Sequence, residues 1–162
     1  MTCLEIHLVA MQPGLVPAVI SLERQCGLSS RNEESYQGLL QNPDSVLLVA
    51  LDECKQVVAV FSGWLVAGEL EIDNIAVLPT FRHRGIASTL LAKALESARE
   101  KGAHRATLEV RLNNRTACVL YEKFGFTVVG RRKNYYHNPS DDALIMALEF
   151  QPKISFGTEK LS

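Results

Sequence analysis

Residues 70–87 read LEIDNIAVLPTFRHRGIA and join a strand-like run to the start of an amphipathic helix. The run covers residues 70–77, and apolar residues at helical spacing predict a helix from Ala87 to Lys101. The loop between them, residues 82–87, carries one glycine and two arginines. A helix that starts after such a loop leaves several backbone N–H groups free, and its dipole adds positive potential. The stretch therefore predicts a site for a pyrophosphate that needs no metal, and hence a cofactor that carries one.

The loop pattern R-x-x-G-x-A is short, and a glycine at a helix start also occurs in proteins that bind no anion. These six residues alone do not decide whether the loop binds an anion. Two better-defined phosphate-binding motifs are absent from the sequence: it has neither a G-x-x-x-x-G-K-[ST] loop nor a G-x-G-x-x-G fingerprint.

Strands and helices extend on both sides of this stretch. Before the loop we predict strands at Leu4–Ala10, Val46–Leu51, Val57–Val66 and Leu70–Val77, and helices at Pro17–Cys26 and Glu33–Gln41. After the helix Ala87–Lys101 we predict a strand at Ala106–Arg111, a helix at Arg115–Phe124, and strands at Phe126–Val129 and Ala143–Phe150. This order predicts one α/β domain over residues 1–150, with a mixed, mostly antiparallel sheet of about seven strands and about four helices. Residues 151–162 are expected to form a flexible tail.

Composition and charge argue against several classes of function. The chain of 162 residues is 47% hydrophobic and has a net charge of −1, so no overall field favours nucleic acid. No apolar run approaches the ~20 residues that span a bilayer, and the amino terminus lacks a signal-peptide pattern. The four cysteines are scattered, with no C-x-x-C pair and no histidine at metal spacing. We therefore expect reduced thiols, no metal site, no membrane contact and a cytoplasmic location.

Glu109 and Tyr121 are candidates for proton transfer. Glu109 lies in the middle of a predicted strand, where a carboxylate is costly unless it faces a cleft or finds a partner. A partly buried glutamate can act as a base near neutral pH, and a tyrosine in the next helix can act as an acid. The residues alone are also compatible with structural roles, in which Glu109 pairs with an arginine and Tyr121 only packs in the core.

Residues 131–136, Arg-Arg-Lys-Asn-Tyr-Tyr, form a second polar cluster. We expect Tyr135 and Tyr136 to lie in a long loop between the last two strands. Such a loop is either a solvated surface or the wall of a substrate groove whose phenol groups bind a peptide backbone.

Three longer segments resemble a known family: DNIAVLPTFRHRGIASTLL at 73–91, LEVRLNNRTACVLYEKFGF at 108–126 and RRKNYYHNPSDDALIMAL at 131–148. They include the signature Q/R-x-x-G-x-G/A, and together they are similar to the GNAT superfamily of acyl-CoA-dependent N-acetyltransferases. Within it, the carboxyl half resembles bacterial ribosomal-protein-alanine N-acetyltransferases. The resemblance covers about residues 70–148 and implies acetyl-CoA as the co-substrate.

The resemblance implies a cofactor site formed by the strand that ends at residue 77 and by the loop at residues 82–87. In the family the strand before the loop splays, and its backbone holds the thioester and the pantetheine arm. Ile75, Ala76 and Val77 occupy those positions, and the N–H of Val77 would stabilise the oxyanion. Asn114 matches a CoA-contacting asparagine. The loop residues that would cradle the pyrophosphate are Arg82, His83, Arg84, Gly85, Ile86 and Ala87.

The resemblance also implies the chemistry. Glu109 matches the general base, Tyr121 the general acid, and Tyr135 with Tyr136 a loop that lines the peptide groove. The acceptor would be the N-terminal α-amine of a protein, with a ribosomal protein as the partner, and the enzyme a monomer or homodimer. Three alternatives are a small amine as acceptor, a lysine side chain, and a non-catalytic acyl-CoA-binding domain. The family usually has a Pro-Trp pair after the first helix, and residues 27–32 (GLSSRN) contain neither residue.

Overall fold

The computed structural model describes residues 5–29 and 31–152. The described strands are β1 His7–Ala10, β2 Ser45–Leu51, β3 Val57–Val66, β4 Glu69–Val77, β5 Arg105–Arg111, β6 Thr127–Tyr136 and β7 Asp141–Glu149. The helices are α1 Val16–Gln25, α2 Glu33–Gln41, α3 Ile86–Glu100 and α4 Arg115–Lys123. The predicted order of strands and helices is confirmed, and most ends lie within one residue of the prediction.

All seven strands form one sheet in the order β1-β2-β3-β4-β5-β7-β6. The β4–β5 pair is parallel, and the other five neighbouring pairs in the described chain are antiparallel. The predicted mixed, mostly antiparallel sheet is therefore confirmed.

Helices cover the two faces of the sheet unequally. On one face, α3 and α4 pack in a core cluster that includes Leu90, Leu91 and Tyr121. On the other face, α1 and α2 pack in a second cluster around Val19 and Tyr36, which also takes residues from β2, β3 and β4. That second cluster contains no residue of β5, β6 or β7, so α1 and α2 leave the β5–β7 part of this face uncovered.

The β4–β5 pair separates partway along its length. Its register runs from Glu69 opposite Arg105 to Ile72 opposite Leu108 and stops there, although both strands continue. Next to this point β4 has a bulge, because Asp73 is the extra residue between two successive pairs with β3. A bulge bends the strand that carries it. We call the resulting opening between residues 73–77 of β4 and 109–111 of β5 the β4–β5 notch.

The prediction was wrong for β6. We expected a strand at Phe126–Val129 and then a long loop that holds Tyr135 and Tyr136, whereas β6 extends from Thr127 to Tyr136. The strand is exposed along most of its length, and within the described residues it lies at the sheet edge with β7 as its one neighbour. Its polar sequence therefore resembles that of a loop.

Parts of three predictions lie outside the described residues: the start of the first strand at Leu4, the substrate-loop position Ser30, and residues 153–162 of the tail. Within the described chain, every helix is too short or too polar to cross a membrane.

Candidate functional site

Backbone groups of β4 point into the β4–β5 notch. The Leu78 N–H donates to the Val58 carbonyl at 2.9 Å. Because hydrogen-bonded pairs alternate along antiparallel strands, Ala76 also directs its N–H and C=O toward β3. Ile75 and Val77 therefore direct theirs away from β3, toward the notch. Of the three residues predicted to hold a cofactor by their backbone, Ile75 and Val77 have groups that face the opening.

The end of β4 is tied to its surroundings through one carbonyl. Val77 C=O accepts from Arg82 Nε at 3.1 Å and from Cys26 Sγ at 3.5 Å. Cys26 directly follows α1. The Val77 carbonyl therefore connects the notch to the loop at residues 82–87 and to the end of α1. The Val77 N–H is left as the donor that a ligand in the notch could reach.

The loop at residues 82–87 presents a row of free amides. Arg82 and Thr89 donate their N–H groups to the carbonyls of Pro79 and Gly85, at 3.3 and 3.0 Å. The six N–H groups of residues 83–88 have no acceptor within residues 5–29 and 31–152. Gly85 makes this turn possible because its φ of +77° lies in the left-handed region, and a Cβ added there would meet open space.

The charges and side chains of this loop favour an anion. Arg82, His83 and Arg84 are exposed, and the Arg84 guanidinium lies 5.2 Å from the centre of the Phe81 ring. The Ile86 side chain is buried, so this residue can contribute only its backbone. Free amides therefore lie at the start of the 15-residue helix α3, at the position where the sequence predicts an anion site, and such amides favour an anion.

Glu109 borders the notch from β5. It follows Leu108, the last residue of β5 that pairs with β4. Its side chain is 34% exposed, and its Oε1 lies 3.3 Å from Arg132 Nη2 on β6. The arginine partner that the sequence left as an alternative is thus present. The Glu109 Oε2 makes no hydrogen bond to the described part of the chain, so the carboxylate keeps one open acceptor.

Tyr121 lies on the face of the sheet opposite to the Glu109 side chain. It is 8% exposed and belongs to the cluster that also buries Leu108 and Val110, whereas Glu109 alternates to the opposite face. Its ring packs edge-on against Phe126, with the two centres 5.6 Å apart. Burial raises the pKa of Tyr121 to about 12. Its hydroxyl donates to no acceptor that the structure describes, so Tyr121 is a protonated donor at neutral pH with its proton uncommitted.

The Asn114 side chain stabilises the start of α4. The residue is the N-cap of α4, and its side-chain oxygen accepts from the Ala117 N–H at 3.2 Å. Its side-chain NH₂ group remains available for the predicted contact with a cofactor.

Tyr135 and Tyr136 end β6 and form a wall beside Glu109. Their rings pack edge-to-face with centres 5.1 Å apart. The guanidinium of Arg111 lies 4.2 Å from the Tyr136 ring centre, and that of Arg132 lies 5.4 Å from the Tyr135 ring centre. Burial raises the pKa of the Tyr136 phenol, and the nearby Glu109 carboxylate adds to this.

One polar cluster was missed from the sequence. Glu23 of α1 is buried and accepts a short hydrogen bond from the Tyr36 hydroxyl of α2, while its Oε2 has no partner in the described structure. Burial raises the pKa of Glu23. Arg31 and Asp73 form an ion pair beside it. A glutamate on the apolar face of the first predicted helix was the available signal, and its partner lies 13 residues away.

Family and sequence comparisons agree with this architecture. The model of the acetyltransferase (GNAT) family matches residues 16–126. The ribosomal protein bS18-alanine N-acetyltransferase of Haemophilus influenzae is 39% identical over 115 residues, covering 68% of this chain and 78% of that protein.

Solved structures match over more of the chain. The crystal structure of the ribosomal-protein-S18-alanine N-acetyltransferase from Escherichia coli superposes with a TM-score of 0.81 and 27% identity, covering 98% of this chain and 99% of that one. Arabidopsis thaliana NAA60, solved in complex with acetyl-CoA, superposes with a TM-score of 0.81 over 90% of this chain and 99% of that one. It is 17% identical, so it shows a shared fold.

Proposed function

This chain belongs to the acetyltransferase (GNAT) family, and from that premise we propose that it is an acetyl-CoA-dependent N-acetyltransferase that modifies the N-terminal α-amine of a protein. The ribosomal-protein-alanine enzymes among its relatives make a ribosomal protein that starts with alanine the first candidate acceptor. The observation that carries the proposal is the row of six free amides at residues 83–88 beside the β4–β5 notch.

The residues present fit an acyl-CoA. The free amides of residues 83–88, with Arg82 and Arg84, would hold its pyrophosphate, because unpaired N–H groups and a helix dipole favour negative charge. The backbone groups of Ile75 would pair with its pantetheine arm, and the Val77 N–H would face the thioester. The side-chain NH₂ group of Asn114 would add a further donor. When bound, acetyl-CoA supplies an acetyl group activated as a thioester, from which the CoA thiolate departs.

Glu109 would accept the proton of the attacking amine. An α-amine has a pKa of about 8, so much of it is protonated at neutral pH and cannot attack. The free Oε2 of Glu109 can take that proton directly or through a water molecule. The Val77 N–H would stabilise the negative charge that develops on the carbonyl oxygen during attack.

Tyr121 would protonate the departing thiolate. The Tyr121 phenol is protonated at neutral pH, and no acceptor in the described structure competes for its proton. Glu109 and Tyr121 lie on opposite faces of the sheet, so the amine would enter from one face and the thiol would leave on the other. Because both substrates would bind together, proximity contributes to the rate without a covalent enzyme intermediate.

The acceptor would lie on the face that α1 and α2 leave uncovered. Tyr135 and Tyr136 border this surface beside Glu109, and Tyr135 is 46% exposed. A phenol hydroxyl can both donate and accept, which suits a peptide backbone. This supports a peptide amine over a simple one.

The test is CoA release from acetyl-CoA, with mass detection, on a peptide that copies an alanine-starting ribosomal-protein amino terminus. We expect one acetyl group on the α-amine. A matched peptide with a blocked α-amine and a free lysine serves as the control. Acetylation of the lysine peptide alone would assign a lysine acceptor, and binding of acetyl-CoA without transfer to peptides or small amines would indicate a non-catalytic acyl-CoA-binding domain.

A further inference from the structure

Two ion pairs border the β4–β5 notch, one on each strand. Asp73 and Glu109 directly follow Ile72 and Leu108, the last paired residues of β4 and β5. Asp73 binds an arginine from the α1–α2 connection, and Glu109 binds Arg132 from β6. The two pairs differ in how firmly they are held, and this difference separates their roles.

The pair on β4 is fixed by several contacts. Asp73 accepts from Arg31 and also from the Ser62 hydroxyl at 3.2 Å. The Arg31 guanidinium lies 5.3 Å from the centre of the Trp64 ring, and both charged side chains are only 29% exposed. These contacts anchor the α1–α2 connection to the sheet. Both hydrogen bonds are made by Asp73 Oδ2, so Asp73 is tied to structure through this oxygen and through a partner that the Trp64 ring also holds.

The pair on β5 is held by one contact. Arg132 is 55% exposed and meets a single Glu109 oxygen, Oε1, at 3.3 Å. Its only other described contact of this kind is with the Tyr135 ring, 5.4 Å away. A half-exposed ion pair contributes about 0–1 kcal/mol to stability, so stability alone gives it little value. The contact does favour one direction of the carboxylate, because Arg132 lies against Oε1 and leaves Oε2 open.

We propose that Arg132 is a positioning residue: its guanidinium holds Glu109 so that Oε2 faces the acceptor amine. This inference rests on the proposed function, in which Glu109 accepts the amine proton. A carboxylate that rotates freely spends much of its time pointing away from the amine. A small misplacement of a reacting group can cost about 100-fold in rate. Arg132 would thus act on the rate of transfer and leave the binding of acetyl-CoA unchanged.

Kinetics of five variants test this, with the alanine-starting peptide as acceptor and saturating acetyl-CoA. We expect Arg132→Ala to lower kcat by about tenfold or more, with little change in the Kd for acetyl-CoA. Arg132→Lys should recover part of the rate because it retains a cation, and added guanidinium at millimolar concentration should partly restore Arg132→Ala. Lys133→Ala is the matched control, because it removes a neighbouring charge that has no ion-pair partner in the described structure. It should retain the parental kcat.

The last two variants, Glu109→Gln alone and Glu109→Gln with Arg132→Ala, show whether Arg132 acts through Glu109. In the Glu109→Gln background, loss of Arg132 should cause no further decrease in kcat. Equal kcat values for the parent and Arg132→Ala would overturn the inference, as would an undiminished effect of Arg132→Ala in that background. If the parent protein transfers acetyl to no amine, the proposed function is overturned, and this inference with it. The two failures are distinct, because one is observed in the parent protein and the other in the variants.

Discussion

At the scale of single residues, Glu109 provides the most direct test of the chemistry. Replacing it with glutamine keeps the size and the polar surface but removes the proton acceptor. We expect Glu109→Gln to bind acetyl-CoA like the parent and to lose about 100-fold or more in kcat at neutral pH. The measurements are isothermal titration with acetyl-CoA and peptide acetylation by mass. A variant that transfers as fast as the parent would remove Glu109 from the base role.

Tyr121 makes a prediction at alkaline pH. Its pKa is about 12 in the fold, because of burial, against an ordinary value of about 10 in the unfolded chain. Above about pH 10 the unfolded chain loses this proton while the folded chain keeps it, so the free energy of unfolding should fall as the pH rises from about 10 to 12. Each such group contributes a slope of roughly 1.4 kcal/mol per pH unit.

Burial also raises the pKa values of Tyr36 and Tyr136, so these three phenols share the loss of stability. Tyr121→Phe should therefore reduce the slope without abolishing it, as measured by urea unfolding at a series of alkaline pH values. The same variant should slow turnover while its affinity for acetyl-CoA stays close to that of the parent. An unchanged slope would contradict the burial of the Tyr121 hydroxyl, and unchanged turnover would contradict its role as the acid.

At the scale of elements, the two ends of α3 provide a matched comparison for the anion site. Gly85 precedes the helix and Gly102 follows it, with φ values of +77° and +88°, and a Cβ would meet open space at both. Alanine at either position should cost about 1–2 kcal/mol of stability, because the left-handed conformation is strained for residues with a Cβ.

The ligand should distinguish the two glycines. We expect Gly85→Ala to weaken the binding of acetyl-CoA by about tenfold, because it distorts the amides of residues 83–88, and Gly102→Ala to leave it unchanged. Thermal unfolding and calorimetric titration of both variants measure the two effects. Equal affinities would mean that the loop is a structural turn.

The α1–α2 pair depends on the buried hydrogen bond between Tyr36 and Glu23. Tyr36→Phe leaves the buried carboxylate without this donor, and we expect a loss of about 1.5–3 kcal/mol at neutral pH. The loss should shrink at about pH 4, because Glu23, with its raised pKa, is protonated there and costs less to bury unpaired. Urea unfolding at both pH values measures it. Tyr135→Phe, at an exposed position, should change stability little, and an equal loss in both variants would contradict the role of the buried bond.

The sequence predicted buried elements best. Strand β3 was predicted with its observed ends, because its largely apolar run is buried on both faces over residues 57–63. The extension of β6 to Tyr136 was not predicted, because an edge strand with a solvated surface has no such run. Likewise, Glu109 was found as a carboxylate in a strand, but its contact with Arg132 depends on β7 lying between β5 and β6. Strand order is a long-range property that local spacing does not encode.

At the scale of the whole molecule, the notch divides the sheet into two parts. Strands β1–β4 form one part and β5–β7 the other, and only four residue pairs join them in the described register. The core cluster beneath α3 spans both parts, with Leu70 from β4 and Leu108 from β5. A ligand in the notch would contact both parts of the sheet as well as the start of α3, so its binding should stabilise the fold as a unit.

We therefore expect acetyl-CoA to raise the melting temperature. At a concentration about 100 times its Kd, linkage adds about 2.7 kcal/mol, which corresponds to roughly 5–11 °C for a chain of this size. Amide hydrogen exchange should slow at residues 75, 77 and 83–88, where free N–H groups gain acceptors, and stay unchanged at Gly102. Acetate at the same concentration is the control. Stabilisation without slower exchange at residues 83–88 would place the ligand elsewhere, because only the proposed site gives those amides new acceptors.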